Sequence, residues 1–188
     1  MAAEEKNRIP LLERDQAAPE VAALYDALLK QRGVVPNMFK TVANVPALAV
    51  AFAGLLKPLL SDGALPGAYK ELVATRMSVL LKSDYAVAAH AISARQKGAT
   101  EAQIAAVKAD FESGPFTKAE RLGLHFAERL HRSAEEIDDT FYVKLKSVFN
   151  DAQIIELAAT AAAFEFLPRF VDALRIPTTP APKPSPVG

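Results

Sequence analysis

Apolar residues recur along this chain at helical spacing, and most of their runs are opened or closed by a residue suited to a helix end. Pro19 can occupy a first helical turn, Val21, Leu24, Leu28 and Leu29 follow as one stripe, and Gly33 supplies a stop. Pro36, Pro46 and Pro66 each precede an apolar run, which predicts three further helix starts. Thr100 with Gln103, and Thr117 with Glu120, have the spacing of capping boxes, in which a hydroxyl and a carboxylate or amide satisfy each other's orphan backbone amides. Asn150 can cap a last long helix. No run of β-branched residues alternates with period two between turn signals, so the predicted fold is all-α, a single-domain helical bundle over residues 1–176.

One interruption bears on the candidate chemistry. The helix from about Pro66 to Leu81 is expected to pause at Lys82-Ser83-Asp84, because Ser and Asp compete for backbone amides inside helices and favour N-cap positions. The next helix should run from Tyr85 to Lys97 and stop at Gly98. An antiparallel hairpin of these two helices, at ~1.5 Å rise per residue, brings Glu71 and His90 to levels about one turn apart. Direct contact and contact through water are both compatible with that spacing. ELVAT, starting at Glu71, recurs as ELAAT at Glu156, but carrying that offset forward puts Pro168 opposite Ser83 and Arg175 opposite His90, so the second copy lacks a matching site. The tail from Pro177 to Gly188, PTTPAPKPSPVG, is expected to be an extended, proline-rich appendage.

Composition narrows the chemistry. The 188 residues, 51% of them hydrophobic, suffice for one substantial core. Basic and acidic residues balance at 22 each, which leaves no global field to favour nucleic acid or an anionic membrane. The apolar stretch from about Val45 to Leu60 is broken by Lys57 and Pro58 and falls short of a spanning helix, and MAAEEKNRIP lacks the apolar core of a signal peptide, so a cytoplasmic location is expected. Zero cysteines remove disulfides and thiolate chemistry together. His125 and His131 stand six apart, which is not ligand spacing, and no glycine-rich phosphate loop occurs; neither a metal nor a nucleotide cofactor is expected.

Glu71, twelve residues on Ser83, three more Ala86 and four more His90 form a spacing of their own in ELVATRMSVLLKSDYAVAAH. With RIPLL, VVPNMFKTVANVPALAVAF, LPGAYKELVA, GATEAQIAAV, FTKAERLGLHFAERLH and AQIIELAATAAAFEFLPRFVDAL, it resembles the alkylhydroperoxidase D and carboxymuconolactone decarboxylase family over roughly residues 8 to 176. Thiol members of that family carry Glu, Cys, Cys and His at these four offsets. Here Glu and His remain, and both thiols are replaced. A thiolate is the atom that attacks a peroxide, so peroxidase activity is not expected.

The resemblance implies a small-molecule enzyme, and the residues suggest how one works without sulfur. His90 lies in the alanine-rich YAVAAHAISA, where an imidazole has no helix-forming purpose; a core histidine is the plain alternative. Glu71 is the natural carboxylate to orient it, or else an exposed residue paired with a cation. Ser83 is explained by helix capping better than by nucleophilic attack. Tyr85 can polarise a substrate oxygen or belong to the core, and Arg76 can anchor a substrate carboxylate or form a surface ion pair.

The expected function is a thiol-independent, carboxymuconolactone decarboxylase-like enzyme, a decarboxylase or isomerase, acting on a small carboxylated lactone or carbonyl acid. A non-catalytic binding or assembly protein on the same scaffold is the alternative, and a peroxidase-related protein by similarity alone is the third reading. ALAVAFAGLL and ELAATAAAFEF are apolar over more than one face and rich in small residues, which predicts a homo-oligomer, a trimer or hexamer by resemblance with a dimer as competitor. Sedimentation at micromolar concentration checks this: an assembled species is expected, and a clean monomer of 20.2 kDa contradicts it.

Overall fold

The structure, a computed structural model, describes residues 7–180. It is all-α: among the described residues there are nine α-helices, one 3₁₀ turn at Ala134–Glu136 and no strand. The helices are α1 (Pro19–Arg32), α2 (Asn37–Val42), α3 (Pro46–Leu60), α4 (Gly67–Leu80), α5 (Asp84–Gln96), α6 (Glu101–Lys108), α7 (Lys118–Ser133), α8 (Asp139–Lys146) and α9 (Asp151–Ala173). None is long and apolar enough to cross a membrane.

The ends follow the local chemistry of the sequence. Pro19 opens α1 and Gly33, at φ 70°, closes it by sending its N–H to the Leu29 carbonyl. Pro36 and Pro66 sit at the N-cap positions of α2 and α4, and Pro46 begins α3. Both expected capping boxes form, Thr100 with Gln103 and Thr117 with Glu120. Asn150 and Gln153 make the equivalent reciprocal pair before α9, at 2.9 and 3.0 Å. Asp138 caps α8 through the Phe141 N–H at 2.7 Å, an end the sequence pattern left unmarked.

The chain divides into two compact units. One comprises the described residues up to Leu56 with those from Val171 onward; its buried side chains include Val21, Tyr25, Phe39, Val42, Val171 and Ile176. Within it, Asn37 ties down the start of the proline-rich tail, its side-chain amide donating to the Pro177 and Thr178 carbonyls at 3.0 and 3.2 Å and its N–H to Thr179 Oγ1 at 2.9 Å. The remainder of the expected extended tail, 181–188, lies outside the described residues.

The other unit, Lys57–Phe170, holds the site. Its centre is α4, which packs against α5, α6 and α7 and has ten buried residues. Leu72, Val73, Met77, Leu124, Ala127, Leu145, Leu157 and Phe164 form its apolar interior. Gly123 on α7 is required by closeness, since a Cβ there would collide with the Tyr69 hydroxyl, which donates to the Glu120 carbonyl at 2.7 Å.

Two lysines and a threonine finish the end of α3. Its final carbonyls are taken in turn by side chains: Pro58 O by Lys70 Nζ at 3.2 Å, Leu59 O by Thr160 Oγ1 at 3.3 Å, and Leu60 O by Lys97 Nζ at 2.5 Å. Cations at a helix C-terminus also meet the negative end of its dipole. Lys70, fully buried, completes its shell with Glu156 Oε2 at 2.9 Å, and Glu156 in turn accepts from the Ala64 and Leu65 amides at 2.9 and 3.0 Å. Burial pushes the Glu156 carboxyl up, but these donors hold it below its ordinary range. Glu156→Ala, which strands the Lys70 ammonium, should therefore cost about 3 kcal/mol, whereas Lys70→Met, which removes the buried charge, should cost less than half of that. Urea denaturation of both variants checks the order.

Candidate functional site

The turn between α4 and α5 sets the site. Lys82 adopts φ 57°, and Ser83 follows in an extended conformation as the N-cap of α5, where its buried Oγ accepts from the Ala86 N–H at 3.5 Å. The cap role expected of Ser83 is therefore the one observed. Reversing the chain there lays α5 antiparallel to α4 and turns His90 back onto Glu71.

Glu71 is fully buried in the middle of α4, yet every polar atom of its carboxylate is used. Oε2 meets His90 Nδ1 at 2.7 Å. Oε1 accepts from Ser93 Oγ at 2.6 Å and from Lys97 Nζ at 2.5 Å. Burial by itself would push the carboxyl up; the His90 contact and the Lys97 ammonium more than offset it and hold the group down at about 2. An ionised carboxylate can only accept, so the hydrogen in the 2.7 Å contact belongs to Nδ1 of His90.

That assignment leaves Nε2 as the acceptor nitrogen of the neutral ring. The imidazole packs edge-on against Phe164 of α9, with ring centroids 4.4 Å apart, and 14% of its side chain is exposed. Nε2 makes no hydrogen bond among the described residues, and none of their buried side-chain polar atoms lacks a partner. It follows that Nε2 reaches solvent. A neutral imidazole so held is a proton acceptor at Nε2, and its protonated form is a donor from the same atom.

Of the other two expected site residues, Arg76 has its hydrogen bonds on a different face of α4. Arg76, five residues after Glu71, lies about 140° around the helix at roughly 100° per residue. It donates from Nε to Glu128 Oε1 of α7 at 2.8 Å, with a second contact from Nη2, and from Nη1 to the Val107 and Ala109 carbonyls at 3.2 and 3.5 Å. Its guanidinium also stands 5.3 Å from the centre of the Phe111 ring. Arg76 thus serves the packing of α4 on α6 and α7 and is not brought to His90. Tyr85 is half-buried in the first turn of α5, five residues before His90 on the same helix.

Ser93 and Lys97 are the participants that sequence reasoning missed. A signal for them exists: His90, Ser93 and Lys97 stand at i, i+3 and i+7 along α5 and its C-cap, which is one face. Phe164 has no comparable signal, because only the tertiary packing of α9 brings it near. The remaining histidines have other carboxylate partners, His125 with Glu112 and His131 Nδ1 with Glu165 at 2.5 Å. Among the described residues no group of three His, Asp or Glu is placed to hold a metal ion.

Comparison with known proteins places this geometry. Residues 46–129 match the model of the Carboxymuconolactone decarboxylase family. An uncharacterized protein of Cupriavidus necator is 41% identical over 64 residues, which cover 34% of this chain and 57% of that protein, so the match spans little more than half of the relative's length. The fold is that of a crystal structure from Ralstonia eutropha, an uncharacterized peroxidase-related protein with an alkylhydroperoxidase AhpD core: TM-score 0.86, 22% identity, 94% of each chain covered. The debrominase Bmp8, in a cysteine-to-alanine variant complexed with 2,3,4-tribromopyrrole, superposes with TM-score 0.81 and 25% identity over 96% of this chain and 95% of its own.

The ionisation of Glu71 has a direct consequence for stability. Its folded carboxyl sits at about 2 against an ordinary 4.5, so the stabilisation is complete above pH 4.5 and is lost as pH falls through 2. A shift of this size corresponds to something on the order of 3 kcal/mol. Glu71→Gln should be less stable than the parent chain near neutral pH and should lose less further stability over that acid window. Chemical denaturation at a series of pH values reads both effects; parallel profiles for the two proteins contradict them.

Proposed function

We propose that this chain, whose residues 46–129 match the model of the Carboxymuconolactone decarboxylase family, is a thiol-independent acid–base enzyme that acts on a small carboxylated lactone or carbonyl acid through His90 and Glu71. The observation that carries the reading is the 2.7 Å contact of a buried, ionised carboxylate with His90 Nδ1, which leaves Nε2 open to solvent. With no cysteine in the chain, the family's thiol reaction has no nucleophile here.

In decarboxylation, the bond from carbon to carboxylate breaks and carbon dioxide leaves. The electron pair passes into the conjugated carbonyl of the substrate. His90, protonated, delivers its Nε2 proton to carbon and is then neutral, and solvent restores the proton. Glu71 keeps the ring aligned throughout and balances the imidazolium charge. Isomerisation uses the same atoms, with Nε2 taking a proton from one carbon and returning it to another. Arg76, held by Glu128, is not given the carboxylate-anchoring role in this scheme.

A second reading, a binding or assembly protein on the same scaffold, draws support from a different observation. Val45, Leu48, Val50 and Leu55, on and just before α3, are each close to half exposed. That apolar surface suits contact with a second copy of the chain, and a homo-oligomer is compatible with either reading.

A thermal-shift screen of small carboxylated metabolites identifies a ligand, since binding to the folded state alone raises apparent stability. With a substrate in hand, Glu71→Gln and His90→Gln should each lower kcat by about 100-fold or more. The double variant should be little worse than the worse single, as for groups that act as one unit. Ser83→Ala should cost about 1 kcal/mol of stability while leaving turnover near the parent value. Full turnover by His90→Gln would overturn the acid–base reading.

A further inference from the structure

We infer that Lys97 is a positioning residue for the His90–Glu71 pair: by occupying Oε1 of the buried carboxylate, its ammonium reserves Oε2, and with it a single imidazole orientation, for His90. This inference rests on the acid–base reading above.

The two carboxylate oxygens are unequally provided. Oε1 receives Ser93 at 2.6 Å and Lys97 at 2.5 Å, whereas Oε2 receives His90 alone at 2.7 Å. Ser93 is neutral, so among the described residues Lys97 is the only permanent cation on a carboxylate with no exposed surface. A buried anion with its permanent cation removed must take up a proton, draw in water or rotate toward another donor. Each of those outcomes changes what His90 Nδ1 meets.

The lysine is held for this task at both ends. Its Nζ also donates to the Leu60 carbonyl at 2.5 Å, at the C-terminus of α3. Its backbone is the C-cap of α5, and Gly98 follows at φ 98° in the left-handed turn that returns the Ala99 N–H to the Ala94 carbonyl at 2.9 Å. A Cβ on Gly98 would meet nothing within 4 Å, so the glycine is needed for its backbone angle alone. A lysine at a helix end has free water beside it, and 29% of this side chain is exposed. Its ammonium nevertheless turns inward to Glu71.

The test reads the ring and needs no substrate. With the imidazole nitrogens labelled by 15N, the ratio of Nδ1–H to Nε2–H forms of neutral His90 is measured in the full chain and in Lys97→Met, Lys97→Gln and Lys97→Arg. The parent should be dominated by the Nδ1–H form. Lys97→Met and Lys97→Gln should lower the ratio by about tenfold, the change that one pKa unit of coupling represents, and Lys97→Arg should restore most of it. Lys97→Gln keeps a donor for Oε1 and so remains measurable should Lys97→Met fail to fold. An unchanged ratio in either neutral variant, even with reduced stability, means that Lys97 only supports the fold and overturns the inference. That result leaves the acid–base reading standing, because the latter fails on turnover by His90→Gln and not on the tautomer of the Lys97 variants.

Discussion

A carboxylate with no solvent contact stands at the centre of the Lys57–Phe170 unit, and the surrounding side chains are arranged to keep it charged. Moving an isolated carboxylate into a protein interior costs several kcal/mol, and a lone neutral donor does not offset that. Glu71 meets one hydroxyl, one ammonium and one imidazole, and their combined effect exceeds the burial that opposes it. The sign of that balance decides the chemistry. A protonated Glu71 could donate to Nδ1 and would then leave the hydrogen on Nε2; an ionised one fixes the hydrogen on Nδ1 and leaves Nε2 as the acceptor nitrogen of the neutral ring.

The same balance of charge joins the site to its support. Lys70 and Glu71 are neighbours on α4, and each belongs to a lysine–carboxylate pair: Lys70 with Glu156 of α9, Glu71 with Lys97 of α5. Both lysines also donate to α3 carbonyls, Lys70 to Pro58 and Lys97 to Leu60, while Thr160 takes the one between. The last turn of α3 is thereby fixed from two sides. The echo of ELVAT in ELAAT acquires a limited physical sense here, since Glu71 and Glu156, its two glutamates, each accept from a lysine; the echo stops there, as no imidazole attends Glu156.

What was legible in the sequence is what local chemistry decides. Prolines at helix starts, glycines at φ above zero and reciprocal Thr–Gln, Thr–Glu and Asn–Gln pairs act over a few residues, so α1, α4, α6, α7 and α9 have the ends that the pattern implies. The pause at Ser83 is of the same kind, and it foretold the hairpin that joins Glu71 to His90. Arg76 shows the limit. Reach and charge made Arg76 a fair candidate, but the direction of a side chain around a helix is decided by the partners available there, and Glu128 with two carbonyls stood on its side. Lys97 entered the sequence reading only as the end of its helix, because nothing local says that it bends inward. The stripe of His90, Ser93 and Lys97 was visible, though its meaning depended on a carboxylate from another helix.

Under the proposed function, the absence of cysteine changes the demand placed on His90 and Glu71. A thiol that performs a covalent step asks a neighbouring imidazole only to move a proton to or from sulfur. In the proposed reaction the imidazole itself delivers a proton to carbon, where a misplacement of about 1 Å can cost on the order of 100-fold in rate. The packing around His90 matches that stricter requirement. Phe164 restricts the ring by an edge-on contact, the Nδ1 hydrogen bond fixes its rotation, and Lys97 with Ser93 fixes the carboxylate that makes the bond. Restraint on the ring, on its partner and on the partner's other oxygen forms a chain in which each element limits the freedom of the next. Such a chain suits the acid–base role proposed for His90 Nε2.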